Sequence, residues 1–300
     1  MFRNLTFFRF PPTLDLQKLP ELVADAALKP VGPLEFSSQG FVSPYGLGHD
    51  VGVVQIGKAT WLSVGSEEKI LPATAVNAAL HKKLAEIEEI EGRKLSGRER
   101  KRVKDDLVHD MLPRALVKCG RTDAVLLPDA GLLVVDTSSR KRAEGVVSEI
   151  RGALGSFPAL PLNAEVSPRA VMTGWLAGEH IGEWLCIGDE AELRDPIEGG
   201  GVVKIQHQDL ATAEGEVDEH LSAGKQVTKL GLHLQQNLSF VLGDDLVVRK
   251  LKFLDAAMDK LPDSVEDLQA ELDARFALME GEIGTLFWVL EQWFKISRAA

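Results

Sequence analysis

Val227-Thr228-Lys229-Leu230-Gly231-Leu232-His233-Leu234, then Leu238-Ser239-Phe240-Val241-Leu242, then Leu246-Val247-Val248-Arg249-Lys250-Leu251-Lys252-Phe253 read as three consecutive strands. Val227, Leu230, Leu232 and Leu234 fall mostly on alternate positions, the period of a strand with one buried face. Gln236-Asn237 and Gly243-Asp244-Asp245 supply the turns, because Asn, Asp and Gly accept the backbone geometry that tight reversals need. A meander of this kind is antiparallel, which directs the reading away from a doubly wound parallel sheet.

Outward from the meander, residues 2–10 are aromatic-rich and predict a strand, and the spacing of Leu14, Leu16, Leu19, Leu22, Val23, Ala26 and Ala27 predicts a helix over Leu14–Leu28. Val51–Ile56 and Thr60–Val64 predict a strand pair turning at Gly57-Lys58. After Pro72, apolar residues recur every three or four positions from Val76 to Ile90, an amphipathic helix over Ala73–Glu91. Ser96 followed by Glu99 has capping-box spacing. It opens a second helix with Val103, Leu107, Met111, Leu112, Leu116 and Val117 on one side and a kink at Pro113. Two helices of about 20 residues joined by a short polar turn form a hairpin arm with a reach of roughly 30 Å.

Ala124–Leu127 and Leu132–Asp136 predict a hairpin, Lys141–Leu154 a helix, and the Leu268–Phe294 stretch a long acidic helix. The fold expected is α+β, a multi-lobed subunit with antiparallel sheets. Three units are expected: a central domain of residues 1–72, 119–165 and 226–300; a helical tip of residues 73–118; and a second small lobe of residues 166–225.

The chain carries 45 acidic residues against 34 Lys and Arg, a formal charge of -11. Taken alone, that charge opposes nucleic-acid binding, which needs local positive potential. Cys119 and Cys186 stand outside any CxxC array, so neither a disulfide framework nor structural zinc is expected, and both read as reduced core thiols. No apolar run approaches the roughly 18 residues of a membrane span, and the N-terminus lacks a signal-peptide pattern, so a soluble intracellular protein is expected.

Chemistry is sparsely signalled. Gly52–Lys58 matches GxxxxGK, but Ala59 follows where Ser or Thr would hold magnesium, and a hairpin is the expected reading. The seven histidines form no HExxH or HxH pair; His81 and His109 read as solvated, and Asp244-Asp245 as a turn. No catalytic residue, metal or cofactor is expected.

The strongest local feature is Arg93-Lys94-Leu95-Ser96-Gly97-Arg98-Glu99-Arg100-Lys101-Arg102-Val103-Lys104, seven cations and one acid astride the arm's turn. It reads either as a solvated surface or as a phosphate-contacting tip. Arg114, Lys118, Lys225 and Lys229 are further candidate DNA contacts, and Arg140-Lys141-Arg142 and Arg249-Lys250 with Lys252 are smaller basic groups. Aromatic content is 6%, and no basic stretch interleaves aromatics, which favours duplex backbone contact over single-strand stacking.

The whole chain, in order, resembles the RdgC family of bacterial recombination-associated proteins. The residues that carry the likeness include Asn4-Leu5, Gly40-Phe41-Val42-Ser43-Pro44, Glu67-Glu68-Lys69-Ile70-Leu71-Pro72 and Leu112-Pro113-Arg114-Ala115. Asp189-Glu190-Ala191-Glu192-Leu193, Gln208-Asp209-Leu210, Ala223-Gly224-Lys225, Val227-Thr228-Lys229-Leu230 and Leu251-Lys252-Phe253 continue it. The resemblance implies a ring-shaped homodimer with a basic hole around double-stranded DNA, no enzymatic activity, and restraint of RecA-driven strand exchange through the shared DNA. A cytoplasmic, nucleoid-associated location follows from that. Where the family has a phenylalanine that plugs a pocket across one dimer interface, this chain has Leu116. Where the opposite interface has Lys-Gln, this chain has His207-Gln208, and a histidine makes that seam more pH-sensitive than a lysine. Two alternatives stay open: inhibition of a recombinase by direct contact through the acidic C-terminal surface, and a nuclease with a dispersed acidic site.

Overall fold

The computed structural model describes residues 1–46, 48–197, 200–208, 210, 215–262 and 267–297. The first sheet has the order β2-β4-β5-β6-β1-β7, with β3 paired to β4. Its strands are β1 (Thr6–Arg9), β2 (Ser37–Val42), β3 (Val54–Ile56), β4 (Ala59–Ile70), β5 (Leu116–Leu127), β6 (Leu132–Val135) and β7 (Leu160–Pro161). The second sheet runs β12-β11-β10-β8-β9, built from β8 (Leu185–Arg194), β9 (Val202–Gln206), β10 (Gln226–Leu234), β11 (Leu238–Gly243) and β12 (Val248–Phe253). The helices are α1 (Leu19–Asp25), α2 (Ala73–Glu91), α3 (Gly97–Met111), α4 (Arg140–Leu154), α5 (Pro168–Leu176), α6 (Glu216–Ser222), α7 (Asp255–Met258) and α8 (Leu268–Phe294). Every ladder in both sheets is antiparallel, so the molecule is α+β.

Strand alternation explains how the first sheet is covered on both sides. Phe7, Trp61, Val125, Leu132 and Val134 point to one core; their chain neighbours Phe8, Leu62, Leu126, Leu133 and Val135 point to the other. The second of these cores is closed by Leu19 and Val23 of α1 and by Ala143, Val146, Val147 and Ile150 of α4. The first is shared with α8 and with the inner face of the second sheet, through Leu193, Leu230, Leu232 and Leu242. Trp61 stacks on Phe276 of α8 at 5.4 Å, and Phe7 meets Phe287 at 5.5 Å. Arg9, 7% exposed, lies with its guanidinium 4.7 Å from the Phe287 ring and is ion-paired to Glu291.

The two sheets are also joined by backbone hydrogen bonds through one segment. Leu5 exchanges backbone bonds with Val248 (2.8 and 3.0 Å), and Leu251 donates to the Arg3 carbonyl at 2.8 Å; the same chain then pairs with β6 as β1.

The arm rises from β4 and β5. Their ladder continues to the pair Ile70–Leu116, so the two feet of the arm stand side by side. At the far end Glu88 accepts from the Leu95 amide at 3.1 Å and from Arg100 at 3.0 Å, which places the end of α2 against the start of α3. Ser96 and Glu99 form the reciprocal capping box. The helices have 19 and 15 residues, and α2 spans about 28 Å at 1.5 Å per residue. α3 has no buried residue, and in α2 Val76 is the one that is buried. The contacts at the tip therefore carry much of the hairpin's order.

Several expectations change. The helix predicted over Leu14–Leu28 shortens to α1, because Pro20 cannot donate within a helix and suits its first turn, and because Leu28 and Phe41 turn to backbone pairing (Leu28 N to Phe41 O, 2.8 Å; Phe41 N to Ala26 O, 3.0 Å). Leu116 and Val117 are not helical: α3 stops at Met111, a short 3-10 turn spans Leu112–Arg114, and β5 starts at Leu116. Pro113 ends the helix where a kink was expected. β4 is longer than Thr60–Val64, since its outer half is an exposed ribbon without apolar alternation. Cys119 and Cys186 are exposed, not core thiols: one sits on that ribbon opposite Glu67, the other on β8 opposite His233. The meander, the Gly57-Lys58 hairpin and the Asp244-Asp245 turn form as expected.

Two outcomes follow. Replacing Phe287 with alanine removes a ring that is 5% exposed between Phe7 and Arg9, and a loss of about 3–5 kcal/mol is expected in urea unfolding; a loss under about 1 kcal/mol contradicts the shared core. Hydrogen bonds from Arg93 and then Ser96 hold the Glu99 carboxyl down at about 2, against an ordinary 4.5. Its contribution to arm order is complete above about 4.5 and disappears as pH falls towards about 2. In an NMR titration the Ser96 and Glu99 amide shifts should move together near pH 2; a midpoint near 4.5 counts against the capping box.

Candidate nucleic-acid interface

Not all seven cations of the arm are free. Arg93, in the link between α2 and α3, bonds Glu99 at 2.7 and 3.1 Å and pairs with Glu91 at 2.8 Å. Arg100 pairs with Glu88, whose carboxyl is held below its ordinary range by the Leu95 amide and then by Arg100. Lys94 adds a weaker attraction to Glu88. Arg98, Lys101, Arg102 and Lys104 are exposed, and no ion pair engages them among the described residues. Arg98, Lys101 and Arg102 are spaced i, i+3, i+4, which sets them on one face of α3.

Charge order along α3 is informative. Its first turns carry Arg98, Arg100, Lys101 and Arg102 with Glu99 among them, and its later turns Asp105, Asp106 and Asp110 with His109. Cations near a helix N-terminus oppose the macrodipole by about 0.3–1 kcal/mol each, which the single carboxylate of Glu99 offsets only in part.

Arg114 is exposed in the 3-10 turn at the foot of the arm, and Lys118 is exposed on β5 opposite Glu68. Beside them Leu116 is 77% exposed and its cross-strand partner Ile70 44%, an apolar pair on one face of the ribbon, while Val117, 43% exposed, lies on the other. Lys225 and Lys229 lie far along the chain, on the second sheet. Lys225 is half-buried just before β10, its amide bonded to the His220 carbonyl at 3.1 Å. Lys229 is bonded to Glu192 at 3.0 Å.

Glu192 is 7% exposed and also meets Arg194 at 2.9 Å and Lys204 at 3.8 Å. Burial works to raise its carboxyl, but the bonds and charges of Lys229 and Arg194 outweigh that and hold it low. Lys250 pairs with the neighbouring Glu190. Glu190, Glu192, Lys204, Lys229, Arg249 and Lys250 line a depression of about 180 Å³. Sequence reasoning missed Arg194 and Lys204, which stand singly on separate strands; only the register Lys204–Glu192–Lys229 brings them into line.

His207 is exposed at the end of β9, in a left-handed conformation (φ 58°) with Nδ1 3.7 Å from Asp189. The Gln208 amide donates to the Asp189 carbonyl at 3.3 Å; Asp209 lies outside the described residues.

Among the described residues no group of three His, Cys, Asp or Glu side chains is placed to hold a metal ion. Asp123 and Asp136 interact across the first sheet, but each is engaged: Asp136 accepts from the Arg3 and Asn4 amides at 2.9 Å, and Asp123 from Ser63 and Arg121. Among the described residues no helix is long and apolar enough to cross a membrane.

Comparison with known proteins agrees with the resemblance read from the sequence. A family model described as "Putative exonuclease, RdgC" matches residues 1–297. A recombination-associated protein RdgC of Xanthomonas campestris pv. campestris (strain B100) is 60% identical over 300 residues, 99% of each chain. Its namesake in Xanthomonas oryzae pv. oryzae (strain PXO99A) is 60% identical over 301 residues, again 99% of each chain. That of Stenotrophomonas maltophilia (strain R551-3) is 57% identical over 305 residues, with the same coverage. The chain belongs to the RdgC family of recombination-associated proteins.

Proposed function

We propose that the protein binds double-stranded DNA through its phosphate backbone, without reading sequence, as a ring-shaped homodimer. By occupying the DNA it restrains RecA-driven strand exchange, in the cytoplasm at the nucleoid, and it performs no covalent chemistry. The observation that carries this reading is the arm tip, where Arg98, Lys101 and Arg102 share an exposed helix face against the preference of the helix dipole.

The dimer is supported by the apolar foot of the arm. Leu116 and its cross-strand partner Ile70 are both exposed on one face of the ribbon, and burying a leucine contributes about 1.5–3 kcal/mol. A two-fold dimer with one contact there and another at His207 and Gln208 closes into a ring, with both arms in the same assembly.

Each phosphate neutralised contributes about -0.9 to the slope of log affinity against log salt. Changing Arg98→Gln, Lys101→Gln and Arg102→Gln together should flatten that slope by roughly 2.7 per arm, with equal effect on unrelated duplexes. An unaltered slope removes the arm from the interface. Leu116→Asp should raise the dimer dissociation constant at least about 100-fold in sedimentation equilibrium, since it places a charge in an apolar contact. An undisturbed dimer moves the interface elsewhere.

A further inference from the structure

We infer that the outward face of the second sheet is a separate docking surface for the duplex DNA backbone. This rests on the reading of the protein as a DNA-binding one, and it assigns part of the interface to a place remote in sequence from the arm. One face of that sheet is buried against α8 and α5; the other carries its long side chains into solvent. On the outward face Arg194, Lys204, Lys229 and Lys250 gather around Glu190 and Glu192. Glu192 is 7% exposed, while the Arg194, Lys204 and Lys250 side chains are 53%, 65% and 58% exposed. The carboxylate therefore lies beneath the cations, drawing three of them together, and the surface an incoming ligand meets is positive. That contrasts with a chain of net charge -11 and makes a polyanion the complementary partner.

The glycines of this face make room for its charged side chains: the Asp245–Arg249 ion pair fills the space above Gly243, and the Glu190 side chain lies over Gly231. Long cations on such a face suit a broad rod of phosphates. No aromatic side chain is among the residues lining the depression, so stacking of unpaired bases has no platform there.

The test uses the full-length protein with Lys204→Gln and Lys250→Gln together, both solvent-exposed, beside the triple arm variant of the previous subsection. Melting temperature should be unaltered. The salt slope should fall by roughly 1.8 for each copy engaged, so that between 50 and 200 mM salt affinity drops about 12-fold less per copy than in the unaltered protein. Combined with the arm variant, the two losses should add, as distant sites do. An unchanged slope in the sheet variant, with the arm variant flattened, overturns this surface and leaves the DNA-binding reading standing. Failure of the unaltered protein to hold duplex DNA overturns both.

Discussion

One short segment fixes where everything else sits. Residues 3–9 exchange backbone hydrogen bonds with β12 through Arg3 and Leu5, and then with β6 through Thr6–Arg9. A strand that belongs to two sheets cannot shift against one without breaking bonds to the other. α8 lies on the core these sheets share and fills it with Phe276, Ile283, Phe287 and Leu290. Close-packed interiors transmit displacement with little loss. The arm, an extension of β4 and β5, and the basic face of the second sheet are thus held to one frame, although more than 70 residues separate α3 from β8 in the chain.

Electrostatics are local in this molecule, and the -11 total hides it. Each basic group carries its own carboxylates: Glu88, Glu91 and Glu99 at the tip, Glu190 and Glu192 on the sheet. At the tip they hold Arg93 and Arg100 to the helix turn and leave Arg98, Lys101, Arg102 and Lys104 outward. On the sheet a buried carboxylate offsets repulsion between three cations that would otherwise spread. Counting charges by sequence cannot separate a cation that braces the fold from one that faces solvent, because the distinction lies in contacts between residues several turns or strands apart.

What was legible followed from period and punctuation. The meander of β10–β12, the capped hairpin of α2 and α3, and the glycine turn at Gly57 were readable because side-chain alternation and turn chemistry are local. The failures are of one physical kind. Residues 66–69 and 116–121 pair beyond the core, flanked on one side by β2, where neither face is buried and alternation has nothing to record. Leu116 and Val117 then looked like the end of an apolar helix stripe, although their backbone bonds go to β4. The same ribbon exposes Cys119, whose place after an apparent helical run had suggested a core thiol. The Glu192 cluster was invisible for a related reason: it exists only in cross-strand register.

Multiplicity connects the apolar foot of the arm to its charged tip. Three outward cations on one helix face can neutralise about three phosphates, a salt slope of roughly -2.7, and such a contact weakens about 40-fold between 50 and 200 mM salt. That is too fragile to hold DNA in competition with other proteins. Doubling the arm through a two-fold contact at Leu116, and adding the second sheet's face from each copy, raises the number of phosphates without requiring any single patch to be strong. The second attachment becomes intramolecular, so its effective concentration is set by the frame that residues 3–9 and α8 keep rigid. In the proposed ring an acidic chain could hold an acidic polymer, because what meets the phosphates is the local placement of its outward cations and not its net charge.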